Sequence, residues 1–403
     1  MLLWSGQAVS EVGSQVTLLA IPLLAALTLH ATTFEIALLT AASSAAFLFV
    51  ALQAGALVDR LRKKRVMVGS DLLRAVVIAT VPLAQVFGVL TIWQLYVVAL
   101  ATSVLTVFFD VAYQSYLPVL VSTEQLVDGN AKIGASQSFA QFAGPGIGGL
   151  LVAAVGAAYA VLIDAVSFVV STFSTAAIVD PEPTPAARPA GARLRTEIAE
   201  GLGFVLGHPI LKKVVGCTAT SNFFSSMWGG VEIVFLVRVL HASPRVIGLV
   251  FALGALGGLT GAAFCRRLTR ALGSARIIWL SMLVTIPFTF AGPSAFPGWG
   301  VLLISVSGFV GGATSVVYNV AQVSYRQAVT PPHLLGRMNA STRFIVWGVM
   351  PLGALAGGGL ATVIGVRPTM YVAAAGGSLA VLWVIASPLF GLRDVHGASF
   401  AQR

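Results

Sequence analysis

The sequence predicts an all-α membrane protein: twelve transmembrane helices arranged as two pseudo-symmetric six-helix bundles. Three observations predict it. Charged residues make up only 9% of the 403 positions and hydrophobic residues 57%, whereas soluble domains carry about 25% charged residues. The apolar residues gather in runs near 2–28, 34–58, 66–89, 93–119, 131–155 and 159–179, then near 213–237, 246–265, 275–292, 299–325, 340–364 and 368–390. One offset of 209 residues relates the second set to the first.

Each run is too long for a strand, and a hydrocarbon core about 30 Å thick takes roughly 20 apolar residues to cross. Backbone amides find no water in that core, so each run must satisfy its own hydrogen bonds as a helix. Between the sixth and seventh runs the composition changes. Residues 180–193 read DPEPTPAARPAGAR, with four prolines and no apolar periodicity, which predicts an extended linker. In the next stretch, LRTEIAEGLGFVLGHPILKK, Leu194, Ile198, Leu202 and Val205 share one helical face. Two readings stand there: a short amphipathic helix at the membrane surface, or the frayed start of span 7. The division is therefore a bundle over 1–180, a cytoplasmic linker over 181–211, and a second bundle over 212–403.

Basic residues set the orientation. Nineteen of the 24 Lys and Arg fall in the loops of one face, and three, Arg238, Arg245 and Arg367, in those of the other; Arg74 and Arg343 lie inside spans. Basic loops face the cytoplasm, so both termini are expected there. The same distribution explains the net charge of +10 as a topology signal, and no nucleic-acid partner is expected. Cys217 and Cys265 sit in or beside apolar runs, and the five histidines lack ligand spacing. No metal site, cofactor or disulfide framework is expected. HExxH, GxSxG and P-loop patterns do not occur, so the chain reads as no enzyme. The first run is too long for a signal peptide and lacks a basic leader.

The repeat is visible residue by residue. Asp110–Val111–Ala112 falls on Asn319–Val320–Ala321, Ser115 and Tyr116 on Ser324 and Tyr325, and Leu126 on Leu335. Asn130–Ala131 falls on Asn339–Ala340, and Gly144, Gly148 and Gly149 on Gly353, Gly357 and Gly358. A duplicated six-helix unit places a substrate site at the repeat interface near the midplane.

Two motifs carry a family resemblance. The loop GALVDRLRKKR, from Gly55 to Arg65, resembles the loop motif of the major facilitator superfamily. That resemblance implies a cytoplasmic gate latch made by Gly55, Asp59, Arg60 and Lys63, with Asp110 as its partner. Arg62 stands where the motif has its second glycine. The second-half copy, TGAAFCRRLTR, has Cys265 at the acidic position, which implies a degraded latch. GPGIGG resembles the antiporter element of this superfamily at Gly144, Pro145, Gly148 and Gly149; the second half has Ala354 for the proline. The stretches LVDGNAKIGASQSFAQFAGPGIGG and TEIAEGLGFVLGHPILKK are similar to the twelve-span drug–proton antiporter branch that includes enterobactin exporters and macrolide efflux pumps. Relative to that branch the chain starts inside its first span, without a short basic tail, which leaves the natural start open.

Ionisable groups within spans are costly and mark function by default. Glu11 lies roughly 14 Å into span 1, among Gln7, Ser10 and Gln15; it reads as a proton-coupling or substrate-binding group, or as a structural acid. Glu232 and Asp164 are the other proton-coupling candidates. Their structural alternatives are pairing with Arg238 and a helix-start acid. Asp71 and Arg74 share a turn and are expected to neutralise each other, while Arg343 either snorkels or holds an anion. Gln7, Gln15, Tyr113, Gln114, Gln137, Gln141, Asn222, Trp228, Tyr318, Asn319, Gln322 and Trp347 are the polar and aromatic residues expected to mark a cavity. The resulting expectation is a monomeric exporter in a bacterial inner membrane. It would move an amphipathic small molecule, drug or siderophore-like, by proton antiport with alternating access; its partners would be substrate, protons and membrane lipids. An uncoupled facilitator or lipid-moving protein of the same fold is the alternative.

Overall fold

The computed structural model describes residues 2–58, 61–120, 126–179, 194–331 and 334–394. Among them there is no strand. The helices, in chain order, are α1 (Leu2–Leu27), α2 (Thr33–Phe49), α3 (Ala51–Val58), α4 (Lys63–Val86), α5 (Ile92–Leu120), α6 (Leu126–Val155), α7 (Ala157–Ala176), α8 (Leu194–Gly207) and α9 (Leu211–Val234). Then follow α10 (Pro244–Leu272), α11 (Arg276–Ala291), α12 (Val301–Val329), α13 (Leu335–Gly348), α14 (Met350–Ile364), α15 (Val366–Leu379) and α16 (Val381–Ile385).

Eight stretches among the described residues are long and apolar enough to cross a membrane: Leu3–Leu27, Lys63–Val86, Ile92–Tyr116, Ala157–Ala176, Pro244–Leu272, Gly298–Val329, Arg337–Ile364 and Val366–Ile385. Thr33–Phe49, Phe139–Val155 and Arg276–Ala291 are apolar but shorter. Several sequence runs are interrupted. The run near 340–364 divides between α13 and α14, where Pro351 enters the first turn of α14 without an N–H for the preceding ladder. The run near 34–58 divides at Val50, and that near 368–390 at Ala380. The stretch after the linker forms a helix of its own: α8 ends before His208, and α9 starts at Leu211. α8 packs on α13, with Val205 fully buried beside Met338 and Val346, Gly201 against the Arg337 carbonyl, and an ion pair joining Glu200 to Arg337.

The helices are inside out relative to those of a water-soluble protein. On α4 the exposed side chains include Leu72, Leu73, Val76, Leu83 and Val86, while Asp71, Arg74 and Ile78 are buried. On α7, Leu162, Ile163, Val166 and Phe173 face outward, whereas Asp164, Ser167, Phe168 and Ser171 are buried. Lipid accepts the apolar face without cost, so polar groups collect between helices, where they find partners. The chain is a multi-pass membrane protein.

Two compact units make up the chain: Met1–Pro189 with Leu236–Ala252, and Ala190–Phe235 with Leu253–Arg403. Each unit repeats the same device at the 209-residue offset. Gly156 opens α7 at φ 87°, and Gly365 opens α15 at φ 90°, a left-handed conformation that glycine adopts without steric penalty. In the first unit Gly144 and Gly148 seat α6 against Gln15 and Val16 of α1. In the second, Gly353 and Gly357 seat α14 against Phe223 and Met227 of α9.

Candidate functional site

Among the described residues of the first unit, buried charged side chains gather where α4 packs against α5 and α7. Asp71 and Arg74, three residues apart, share the inward face of α4 and form an ion pair. Asp71 is 0% exposed and Arg74 4%. The guanidinium lies over the rings of Phe109 (4.6 Å) on α5 and Phe168 (4.2 Å) on α7, and one nitrogen donates to the Thr106 hydroxyl at 3.3 Å. Such stacking suits arginine, whose flat, weakly hydrated head tolerates burial better than an ammonium.

One helical turn before Phe168 comes Asp164, which is 1% exposed. It sits about two turns into α7, which begins at Ala157, so a helix-start role does not describe it. The Ser167 hydroxyl lies 2.8 Å from the Asp164 carbonyl oxygen and 3.1 Å from Oδ1. Asp164 lies within electrostatic reach of both Arg74 and Asp71. Thr17 of α1 is its neighbour, and Ser171 stands beside Asp71. Four buried polar atoms here make no hydrogen bond of ordinary geometry: Asp164 Oδ2, Asp71 Oδ2, Arg74 Nε and Thr17 Oγ1; the hydroxyls that adjoin the two carboxyls are those of Thr17 and Ser171.

Glu11 belongs to a different part of this unit. Half-buried, it accepts a 2.9 Å hydrogen bond from Gln7 Nε2 one turn earlier. Glu11 and Asp110 both lie near Tyr113, whose ring stacks on Phe109 at 5.8 Å. Gln15 is held against Gly144, and Gln114, Gln137 and Gln141 are exposed. Of the latch, Gly55 lies in α3 and Lys63 begins α4; Asp59 and Arg60 lie outside the described residues. The neighbouring Lys64 donates to the Ile178 carbonyl at 2.6 Å. Within the antiporter element, Gly149 meets the backbone of Gly248 and Pro244.

In the second unit Glu232 is half-buried, with the Trp228 indole beside it and Trp228 pressed on Gly292. Directly after it α9 relaxes into a π turn, Phe235–Val239, a distortion often found at functional sites. Arg238, in the first unit, donates to the Ala31 carbonyl. Asn222 donates to the Val346 carbonyl at 2.7 Å, the Tyr318 and Thr218 hydroxyls are 2.7 Å apart, and Gln322 donates to Asn319 at 2.9 Å. Arg343, in mid-α13, lies over Trp347 at 5.2 Å. Cys217 and Cys265 are buried free thiols.

The whole-chain comparisons agree with this architecture. Residues 1–400 match the family described as transmembrane secretion effector. The chain belongs to that family. It is a major facilitator transporter and not an enzyme. The multidrug efflux pump Tap of Mycolicibacterium fortuitum is 28% identical over 401 residues, covering 96% of this chain and 94% of Tap. Macrolide efflux protein A of Streptococcus pyogenes is 25% identical, covering 91% and 90%. Among solved structures, the nucleoside transporter NupG superposes with a TM-score of 0.72 at 13% identity, covering 97% of this chain and 98% of NupG. A bacterial homologue of the iron transporter ferroportin, inward-facing, gives 0.72 at 16%, covering 96% and 97%. At that identity these two speak for the fold alone.

For this transporter the sequence named Asp164, and separately the Asp71–Arg74 pair, but not their shared neighbourhood. Their positions within the apolar runs that form α4 and α7 were readable. The pairing of those two helices was not, because 93 residues separate Asp71 from Asp164.

Proposed function

We propose that this transporter exports an amphipathic small molecule, drug or siderophore-like, across the bacterial inner membrane in exchange for protons, by alternating access. The observation that carries the reading is the placement of Asp164 and Glu11 on inward faces of lipid-crossing helices, away from the basic loops. A group in that position exchanges protons with whichever side the cavity opens to, and it pays a few kcal/mol to remain charged. The efflux relatives along the whole chain support the direction of transport. In this reading twelve spans form bundles over 1–180 and 212–403, the linker 181–211 and both termini are cytoplasmic, and the monomer is the working unit. Asp59, Arg60, Lys63 and Asp110 latch the cytoplasmic gate. Glu232 is a second-unit coupling candidate, while Gln7, Gln15, Tyr113, Asn222, Trp228 and their polar neighbours line the route.

The test is transport by the full chain in proteoliposomes with an imposed pH gradient, screened over siderophores and over cationic and macrolide drugs. Gradient-driven accumulation of one of these is the expected result. Flux that ignores the gradient would favour an uncoupled facilitator or lipid-moving protein instead.

A further inference from the structure

We infer that Asp71, Arg74 and Asp164 form one three-charge centre, in which two carboxylates share a single guanidinium and a single exchangeable proton, and that this proton couples transport. The inference rests on the proton antiport proposed above and assigns it to particular atoms.

Charge counting within the fold carries the argument. All three residues are at most 4% exposed. Arg74 is paired with Asp71 and caged by Phe109, Phe168 and Thr106. That pair is neutral, so Asp164 adds an uncompensated negative charge to an interior where each buried ion costs several kcal/mol. One proton bound to the two acids removes it. The hydrogen bonding fits: Ser167 meets Asp164 Oδ1, while Oδ2 makes no hydrogen bond of ordinary geometry and the Thr17 hydroxyl adjoins the carboxyl, so Oδ2 can carry the hydrogen.

No other described ionisable group supplies the missing charge. From α1 the only one is Glu11, bonded to Gln7. α5 contributes Asp110, Tyr96, Tyr113 and Tyr116, all neutral or acidic. The cations of α4 besides Arg74 are Lys63, Lys64 and Arg65, at its opening turn. On α7 the other ionisable side chain is the exposed Tyr159, and the described side chains of α6 include none.

The consequence is mechanical. With the proton bound, Arg74 belongs to Asp71 on α4. When Asp164 releases that proton to water, its carboxylate competes for the same guanidinium from α7. The contest between two helices is transmitted to α1, because Gly13 lies directly against Asp164 and Ser167.

The test counts protons and needs no substrate. Infrared difference spectra of the purified full-length protein between acidic and alkaline buffer report protonated, water-shielded carboxyl groups. This centre should contribute one such titrating band to the parent, identified as the component lost in the Asn variants. Asp164→Asn and Asp71→Asn should each abolish it, since one acid with one guanidinium needs no proton. Arg74→Gln should double it. The two Asn changes preserve side-chain shape, so they decide the matter if Arg74→Gln does not fold. A band unchanged in Asp164→Asn overturns the inference. In liposomes, with ethidium as the probe, Asp164→Asn should reduce gradient-driven accumulation to the level seen without a gradient. Full accumulation by the variant overturns the coupling role. Failure of the antiport reading itself would appear in the parent, as ethidium movement indifferent to the gradient.

Discussion

Gly13 on α1 lies so close to Asp164 on α7 that a Cβ on it would stand 2.6 Å from the carboxyl Oδ1 and 2.4 Å from the Ser167 hydroxyl. The missing side chain brings two membrane helices together at the buried acid, the use of small residues expected where lipid supplies no hydrophobic drive.

Gly13→Ala should therefore lower stability by about 1–3 kcal/mol, the usual cost of overpacking a filled interior. Adding Ser167→Ala should recover part of that loss, because the two sites touch and their effects are not additive. Thermal unfolding in detergent measures both. Parental stability in Gly13→Ala would show that the helices separate freely at this point.

Gly149 supplies a contrast within its own motif. A Cβ there would fall 2.5 Å from the Gly248 Cα and 2.7 Å from the Pro244 carbonyl oxygen, both backbone atoms that cannot rotate away. At Gly146 the nearest atom is the Ala252 Cβ at 3.3 Å. Gly149→Ala should reduce the folded yield sharply, and Gly146→Ala should leave it near parental, as read by fluorescence-detected size exclusion. Equal yields would remove the packing role of Gly149.

His208 should make the start of α9 sensitive to acid. Its Nδ1 accepts from the Ile210 and Leu211 amides, each at 3.2 Å, and burial pushes the imidazole below its ordinary value of 6.5. The neutral ring is the capping form. Its contribution, about 1 kcal/mol for a typical cap, is complete above the unfolded value and is lost as pH falls through the lowered folded one. Measured as the melting-temperature difference between parent and His208→Ala, the advantage should shrink on acidification. A difference constant with pH would exclude the cap.

Glu11, half-buried and bonded only sideways to Gln7, is suited to meeting a cationic substrate. Glu11→Gln should raise the KM for tetraphenylphosphonium about tenfold, equivalent to about 1.4 kcal/mol, with a smaller effect on an uncharged substrate. An unchanged KM would leave Glu11 a structural acid.

Topology is checked by single cysteines at exposed positions on a background lacking Cys217 and Cys265. Arg65→Cys, Arg270→Cys and Gln327→Cys should react with impermeant reagent from the cytoplasmic side alone. Thr28→Cys, Ser243→Cys and Pro297→Cys should react from outside alone. One label crossing that pattern would break the twelve-span arrangement.

What the sequence by itself determined is what depends on composition and period: helices instead of strands, lipid as solvent, a duplicated half, and ionisable residues set within apolar spans. These follow from residues within a few turns of one another, and the 209-residue offset reappears in space as Gly156 and Gly365. Only the tertiary structure decided which inward faces meet. Asp71 and Arg74, taken alone, are a self-neutralising pair, and Asp164, taken alone, is an isolated acid. Packing of α4 on α7, with Phe109 and Phe168 holding the guanidinium, converts them into a site with one negative charge too many. Helix pairing in lipid is set by small-residue complementarity and rotation about the helix axis, and neither is encoded in the hydropathy of any single span.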